Sequence, residues 1–131
     1  MNYLLDTNIC VHFFRGNTRV LERMQSKRTE NLFISEMTLG ELLYGAECSD
    51  RPQENREMIE WLCKEIRVLP LTDVWEEFAR QKSALRSKGM MIEDADILIG
   101  STAIVNDLIM VTENEKHIGR LQGITIDNWN K

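Results

Sequence analysis

YLLDTNICVHFFR, residues 3–15, holds a strand, a turn and the start of a helix in one short stretch. Tyr3, Leu4 and Leu5 form an apolar run that reads as a strand. Asp6 and Thr7 follow with a carboxylate and a hydroxyl, the groups that cap a helix, and the helix proceeds from Asn8. Outward from this unit the same alternation recurs. A helix is expected over residues 18–27, then a strand over 32–34 and a helix from the Ser35 cap to about Cys48. Asp50, Pro52 and Gln53 resemble a capping box with proline in the first turn, so a helix is predicted over 51–64. A third strand is expected at 66–71, and Thr72 should cap a helix that runs to Ser87 and stops at Gly89. A helix over 92–106 and strands at 108–112 and 124–126 complete the series.

Strands alternating with helices, without a two-residue hairpin signal, predict an α/β fold. The expected architecture is a three-layer α/β/α domain with a mainly parallel sheet of about five strands. The 131 residues contain no linker, repeat or low-complexity tract, so a single domain spanning 1–131 is expected. In such sheets the site lies beyond the carboxyl ends of the strands. That rule selects Asp6, after the first strand, and Asn114, after the fourth.

Composition narrows the function. Apolar residues make up 43% and charged residues 28%, which fits a globular protein and excludes disorder. Cys10, Cys48 and Cys63 are an odd set without C-x-x-C spacing, so neither a disulfide framework nor a zinc finger is supported, and a reducing cytoplasm is expected. The start MNYLLDTN has no basic region and the apolar stretches are short, so neither a signal peptide nor a membrane span is expected. The formal charge of −5 argues against a general nucleic-acid coat. Carboxylates that gather divalent cations would reverse the field a phosphate meets.

Three acids stand out. Asp6 serves equally well as a helix cap or a metal ligand. Glu41 sits in a helix with Gly40 and Gly45, each costly there, which predicts close approach to the helix backbone. Asp96 heads an apolar stretch, and its i+4 and i+7 neighbours are Gly100 and Ala103, so its face is expected to turn inward. Asp94 lies about 200° around the helix and belongs to a solvated helix start. Three carboxylates on separate elements suit Mg²⁺ or Mn²⁺, which keep several waters and need few protein ligands. G-x-S-x-G, Walker-type and H-E-x-x-H motifs are all absent, which disfavours serine-hydrolase, P-loop and zinc-protease chemistry.

Three segments, YLLDTNICVHFFR, FISEMTLGELLYGA and IEDADILIGSTAIVNDLIMVTEN, carry a resemblance to the PIN-domain nucleases, closest to the VapC-type toxins of bacterial toxin–antitoxin pairs. The order of DTN, S-x-x-T-x-x-E-L-x-x-G and A-D-I-L-I-x-x-x-A makes chance agreement improbable. The resemblance implies an endoribonuclease that uses Mg²⁺, or Mn²⁺, and inhibits translation by cleaving RNA, with tRNA one such substrate. It makes Asp6 and Asp96 metal ligands, and Glu41 a third catalytic acid that either binds metal or orients its water. Thr7 and Asn8 are supporting residues, and Thr112 and Asn114 form the fourth corner. Many relatives carry an acid near that corner, where this chain has Asn114 between Glu113 and Glu115. The resemblance also implies a VapB-like antitoxin, a homodimer and a larger complex with antitoxin and DNA. A housekeeping RNA-maturation enzyme of the same fold, or a catalytically silent binding module, is the alternative.

Other residues carry weaker expectations. His12, within an apolar helix, reads as packing, and His117 as solvent-facing. Arg15, Arg19, Arg23 and Lys27 recur every four residues and would form one basic stripe if helix continued through them, although Gly16 and Asn17 interrupt it. Phe13, Phe14 and Leu42 are expected in the core, and would offer antitoxin contacts if exposed.

Overall fold

The chain runs out from its first strand to one edge of the sheet, returns, and builds the other edge. The computed structural model describes residues 1–131. Its elements are β1 (Tyr3–Leu5), α1 (Thr7–Phe14), α2 (Thr18–Gln25), a single 3₁₀ turn (Thr29–Asn31), β2 (Leu32–Ser35), α3 (Glu36–Glu47) and α4 (Pro52–Glu65). There follow β3 (Arg67–Leu69), α5 (Trp75–Ser87), α6 (Asp94–Val105), β4 (Ile109–Val111), α7 (Glu115–Ile118) and β5 (Ile126–Asp127). The five strands lie in the order β3-β2-β1-β4-β5, and every pairing is parallel. The reversal of direction falls between β1 and β4, where Tyr3 pairs with Ile109 and Leu5 with Val111. Parallel α/β sheets open a crevice at such a switch point.

The central strand alternates faces, as a strand must. Tyr3 and Leu5 join Ile9, Val20, Leu42, Ile59 and Trp129 in one core. Leu4 joins Ile99, Ala103, Met110 and Ile118 in the other. A strand buried on both sides reads as a continuous apolar run, which is why β1 shows no alternation of polarity. Leu4 is fully buried, so truncating it to alanine should cost about 2–5 kcal/mol. The helix α6 is buried on every side from Ile97 to Ala103, with Ser101 and Thr102 the only polar residues in that run. A Cβ on Gly100 would run into the Leu121 side chain, so the glycine lets α6 lie against that segment.

Several boundaries differ from expectation. Asp50 caps nothing: α4 starts at Pro52 after Arg51, without a side-chain cap bond. Thr72 is not a cap either, because α5 begins only at Trp75 after Val74. Val74 is 1% exposed, so its burial holds the preceding residues in a turn. Extended backbone at Glu93 delays α6 to Asp94. The last strand is displaced to Ile126–Asp127, since Ile124 packs under α6 and only the following residues pair with β4. No helix is long and apolar enough to cross a membrane.

Candidate active site

Asp6 is the first residue beyond β1. Its N–H still donates to the Val111 carbonyl at 2.9 Å, so the sheet fixes its backbone. Its side chain caps α1: Oδ1 accepts from the Thr7 N–H at 2.8 Å. Oδ2 accepts from the Thr112 hydroxyl at 2.7 Å, and that hydroxyl in turn accepts from the Asn114 N–H at 2.9 Å. The residue is 4% exposed. Each carboxylate oxygen has two lone pairs, so one per oxygen remains for an external ligand.

Glu41 reaches the same place from α3. The Thr7 hydroxyl lies 2.7 Å from its Oε1 and 3.1 Å from the Thr38 hydroxyl. A hydroxyl has one proton, so Thr7 gives its own to Glu41 and receives that of Thr38. Asp96, on the first turn of α6, is half-buried, and the Asn114 amide Nδ2 lies 3.4 Å from its Oδ2. Asn114 thus spans the corner, touching Asp96 with its side chain and Thr112 with its backbone.

These groups open into a cleft of about 390 Å³ at the β1/β4 switch point. Asp6, Glu41 and Asp96 line it together with Thr7, Asn8 and Asn114, and Thr112 lies behind Asp6. All seven residues singled out from the sequence therefore meet in one place. Burial pushes the Asp6 carboxyl up to about 6, helped by the charges of Asp96 and Glu41 and opposed by the Thr112 and Thr7 hydrogen bonds. Asp96 is also raised, first by burial, then by Glu93 and Glu41, with His117 acting against them. Mutually repelling acids held in a cleft favour a cation between them.

The donor set fits a hard divalent ion. No three acidic, imidazole or thiol groups enclose a point closely enough to cage an ion by themselves. Magnesium does not ask for that, because it retains waters and accepts one or two carboxylates. The Asn8 side-chain oxygen is buried and has no partner within the chain, so a further oxygen donor stands free on the cleft wall. Asp94 is exposed, pairs with Lys82 at 2.9 Å and does not line the cleft.

Other expectations fail. Nothing lies within 4 Å of a Cβ built at Gly40 or Gly45, so no part of the chain approaches the α3 backbone there. Gly45 instead borders an apolar groove of about 270 Å³ beside Glu41, with Phe14, Met58 and Ile59. The basic stripe does not form. Arg23 pairs with Asp127 at 2.9 Å and lies over Trp129, and Lys27 lies over Tyr3, leaving Arg15 alone at the cleft. His12 is not packing: its Nε2 lies 2.5 Å from Glu113 Oε1 at the cleft wall. His117 is exposed and Leu42 buried, while Phe13 is partly buried and stacks on Trp61. Sequence reading gave no role to Thr38, although the S-x-x-T-x-x-E-L-x-x-G motif contains it, or to Glu113, although it flanks Asn114. Thr38 is three residues before Glu41 on the same helical face, a usable signal. Glu113 contacts a residue 101 positions away, a partner that its place beside Asn114 did not announce.

Known proteins resemble this chain along nearly its whole length. The PIN domain family model matches residues 3–123. The chain is 29% identical over 130 residues to the tRNA(fMet)-specific endonuclease VapC of Salmonella typhimurium, covering 98% of both chains. It is 29% identical to Ribonuclease VapC2 of Rickettsia felis over the whole of both. Its fold superposes on the DNA-bound VapBC complex of Salmonella typhimurium with a TM-score of 0.91 and 30% identity, covering 98% of each chain.

Proposed function

The chain belongs to the PIN-domain family, and from that premise we propose that it is a metal-dependent endoribonuclease, the VapC-type toxin of a toxin–antitoxin pair. What carries this reading is the convergence of Asp6, Glu41 and Asp96 in one cleft at the sheet's switch point. The similarity to chains named ribonuclease and endonuclease VapC supports RNA as the substrate, and one of those names supports tRNA.

Asp6 and Asp96 would hold Mg²⁺ or Mn²⁺, with Asn8 and Asn114 beside them. A divalent ion bound there supplies Lewis-acid chemistry, polarising a phosphoryl oxygen and acidifying the attacking water. The chain's own groups do the rest. The Thr7 N–H and the Thr112 hydroxyl hold Asp6 in one orientation, so no rotamer search precedes loading. Thr7 fixes Oε1 of Glu41 and leaves Oε2 unbonded, a carboxylate oxygen able to take a water's proton. Hydrolysis on this plan needs no protein nucleophile, and the one thiol close to Asp6, Cys10, is fully buried and pushed far up by that burial.

The DNA-bound VapBC relative supports a VapB-like antitoxin as partner, with a larger antitoxin–DNA complex, a homodimeric toxin and a cytoplasmic setting as parts of the same reading. Inhibition of translation would follow from cleavage of tRNA. The test is expression with and without the neighbouring small gene, with RNA ends mapped for wild type and Asp96→Asn. Growth arrest and new RNA ends only in wild type without the partner are expected. Cleavage by Asp96→Asn, or wild-type cleavage that persists in a chelator, would refute the reading.

A further inference from the structure

An RNA strand carries a phosphate at every nucleotide, and only the one under attack meets the acid cluster. Its neighbours meet the rest of the cleft, in a chain of net charge −5. One wall is suited to them. Asn8, Val11, His12 and Arg15 recur at helical spacing along and just beyond α1, and all four line the cleft. Arg15 is exposed and takes part in none of the ion pairs of the structure. It is the one permanent cation on the cleft wall.

His12 is held in a different manner. Glu113 Oε1 accepts from its Nε2 at 2.5 Å, Glu113 Oε2 accepts from Asn130 Nδ2 at 2.7 Å, and Asn130 Oδ1 accepts from Asn17 Nδ2 at 3.0 Å. Asn17 is itself the N-cap of α2. A line of side chains thus runs from the end of the chain to the imidazole. An ionised carboxylate only accepts, so Nε2 carries the proton and Nδ1 is left for an outside partner. A ribose 2′-hydroxyl both donates and accepts, so it suits Nδ1 in either protonation state, and it is the group that separates RNA from DNA.

Granting the endoribonuclease reading, we propose that Arg15 and His12 form a substrate wall, Arg15 binding a phosphate beside the scissile one and His12 Nδ1 binding a ribose 2′-hydroxyl. Glu113 and Asn130 are positioning residues that act through His12.

The test measures binding by fluorescence anisotropy, using the Asp96→Asn protein so that nothing is cleaved. The probes are a labelled single-stranded RNA and a DNA of the same sequence, each titrated over a range of salt. Adding Arg15→Ala should weaken RNA binding about tenfold and reduce the slope of log K against log salt by about 0.7, the value for one lost contact on a single strand. Arg15→Lys should restore the slope. His12→Ala should weaken RNA several-fold and leave DNA nearly unchanged, and Glu113→Gln should do the same to a smaller degree. His12→Gln keeps a donor toward Glu113 and loses Nδ1, so it should lose RNA affinity several-fold even if the alanine variant folds poorly. Arg86→Ala, on the polar face of α5, is the control that leaves binding unchanged.

An unaltered affinity and salt slope in Arg15→Ala would overturn the phosphate contact. Equal losses on RNA and DNA in His12→Gln would overturn the 2′-hydroxyl contact. Cleavage by the wild-type protein is read separately. If it fails while these binding changes hold, the nuclease reading falls and the wall stands.

Discussion

Asp6 and Asp96 face one cleft, yet they are held in opposite ways. Asp6 is 4% exposed, with its two oxygens bonded at 2.8 and 2.7 Å to the first N–H of α1 and to the Thr112 hydroxyl just past the end of β4. Asp96 is half-buried and meets one amide at 3.4 Å, near the limit of a hydrogen bond. The first carboxylate is preorganised before any ion arrives, and the second has room to adjust when one does. Loading should therefore tighten the Asp96 side and leave Asp6 where it is.

The largest expected effect comes from removing either charge. Asp96→Asn and Asp6→Asn should each lower divalent-dependent RNA cleavage by roughly a thousandfold or more, with circular dichroism unchanged. Their stabilities should differ, and that difference tests the contrast. Asp6 titrates at about 6 in the fold, against 3.8 when unperturbed. Its folded form therefore binds a proton more readily than its unfolded form. Between pH 3.8 and about 6 the metal-free protein loses stability as pH rises, by about 3 kcal/mol in all from this group. Asp6→Asn should melt higher than wild type at pH 7.5 without metal, and the gap should close near pH 4. Equal melting temperatures at pH 7.5 would show that Asp6 is not strained. Saturating Mg²⁺ should raise the wild-type melting temperature and leave Asp96→Asn unmoved.

Next in size is Thr112→Val, which keeps the shape and deletes both the donor to Asp6 and the acceptor for Asn114. It leaves buried polar groups unpaired, so a loss of about 1–3 kcal/mol in thermal unfolding is expected. Asp6 should then titrate still higher, since the Thr112 bond is the main force lowering it. Thr7→Val frees Glu41 from its anchor and should reduce cleavage about tenfold, and because it also leaves the buried Thr38 hydroxyl unpaired it should cost about 1–3 kcal/mol in thermal unfolding.

The legible parts of the site were those written locally. Asp6 follows three apolar residues that read as a buried strand, and Gly100 marked a close contact of α6, although that helix is buried on every side from Ile97 to Ala103. Long-range placement was not legible. His12 looks apolar by its neighbours, and only the pairing of β1 with β4 brings Glu113 beside it. The glycines misled for a related reason: Gly100 answers to a packed neighbour, whereas Gly45 borders a groove filled by nothing in the chain itself. Sequence flags an unusual glycine without saying which. The Thr72 cap failed because the burial of Val74 set the start of α5 more strongly than a side-chain oxygen did, while α4 simply starts at Pro52 with no side-chain cap.

The smallest effect should come from Asn114→Ala. At 3.4 Å the amide gives Asp96 little in the metal-free state, so thermal stability should change by less than about 0.5 kcal/mol. The Asn114 N–H that bonds Thr112 belongs to the backbone and survives the substitution, so the Asp6 corner is untouched. Cleavage at saturating Mg²⁺ should fall only about threefold, through looser placement of Asp96. Metal titration followed by melting temperature, alongside single-turnover cleavage, checks both numbers. A loss larger than that of Thr7→Val would mean that the Asp96 side becomes the more constrained corner once loaded, inverting the ranking read from the metal-free geometry.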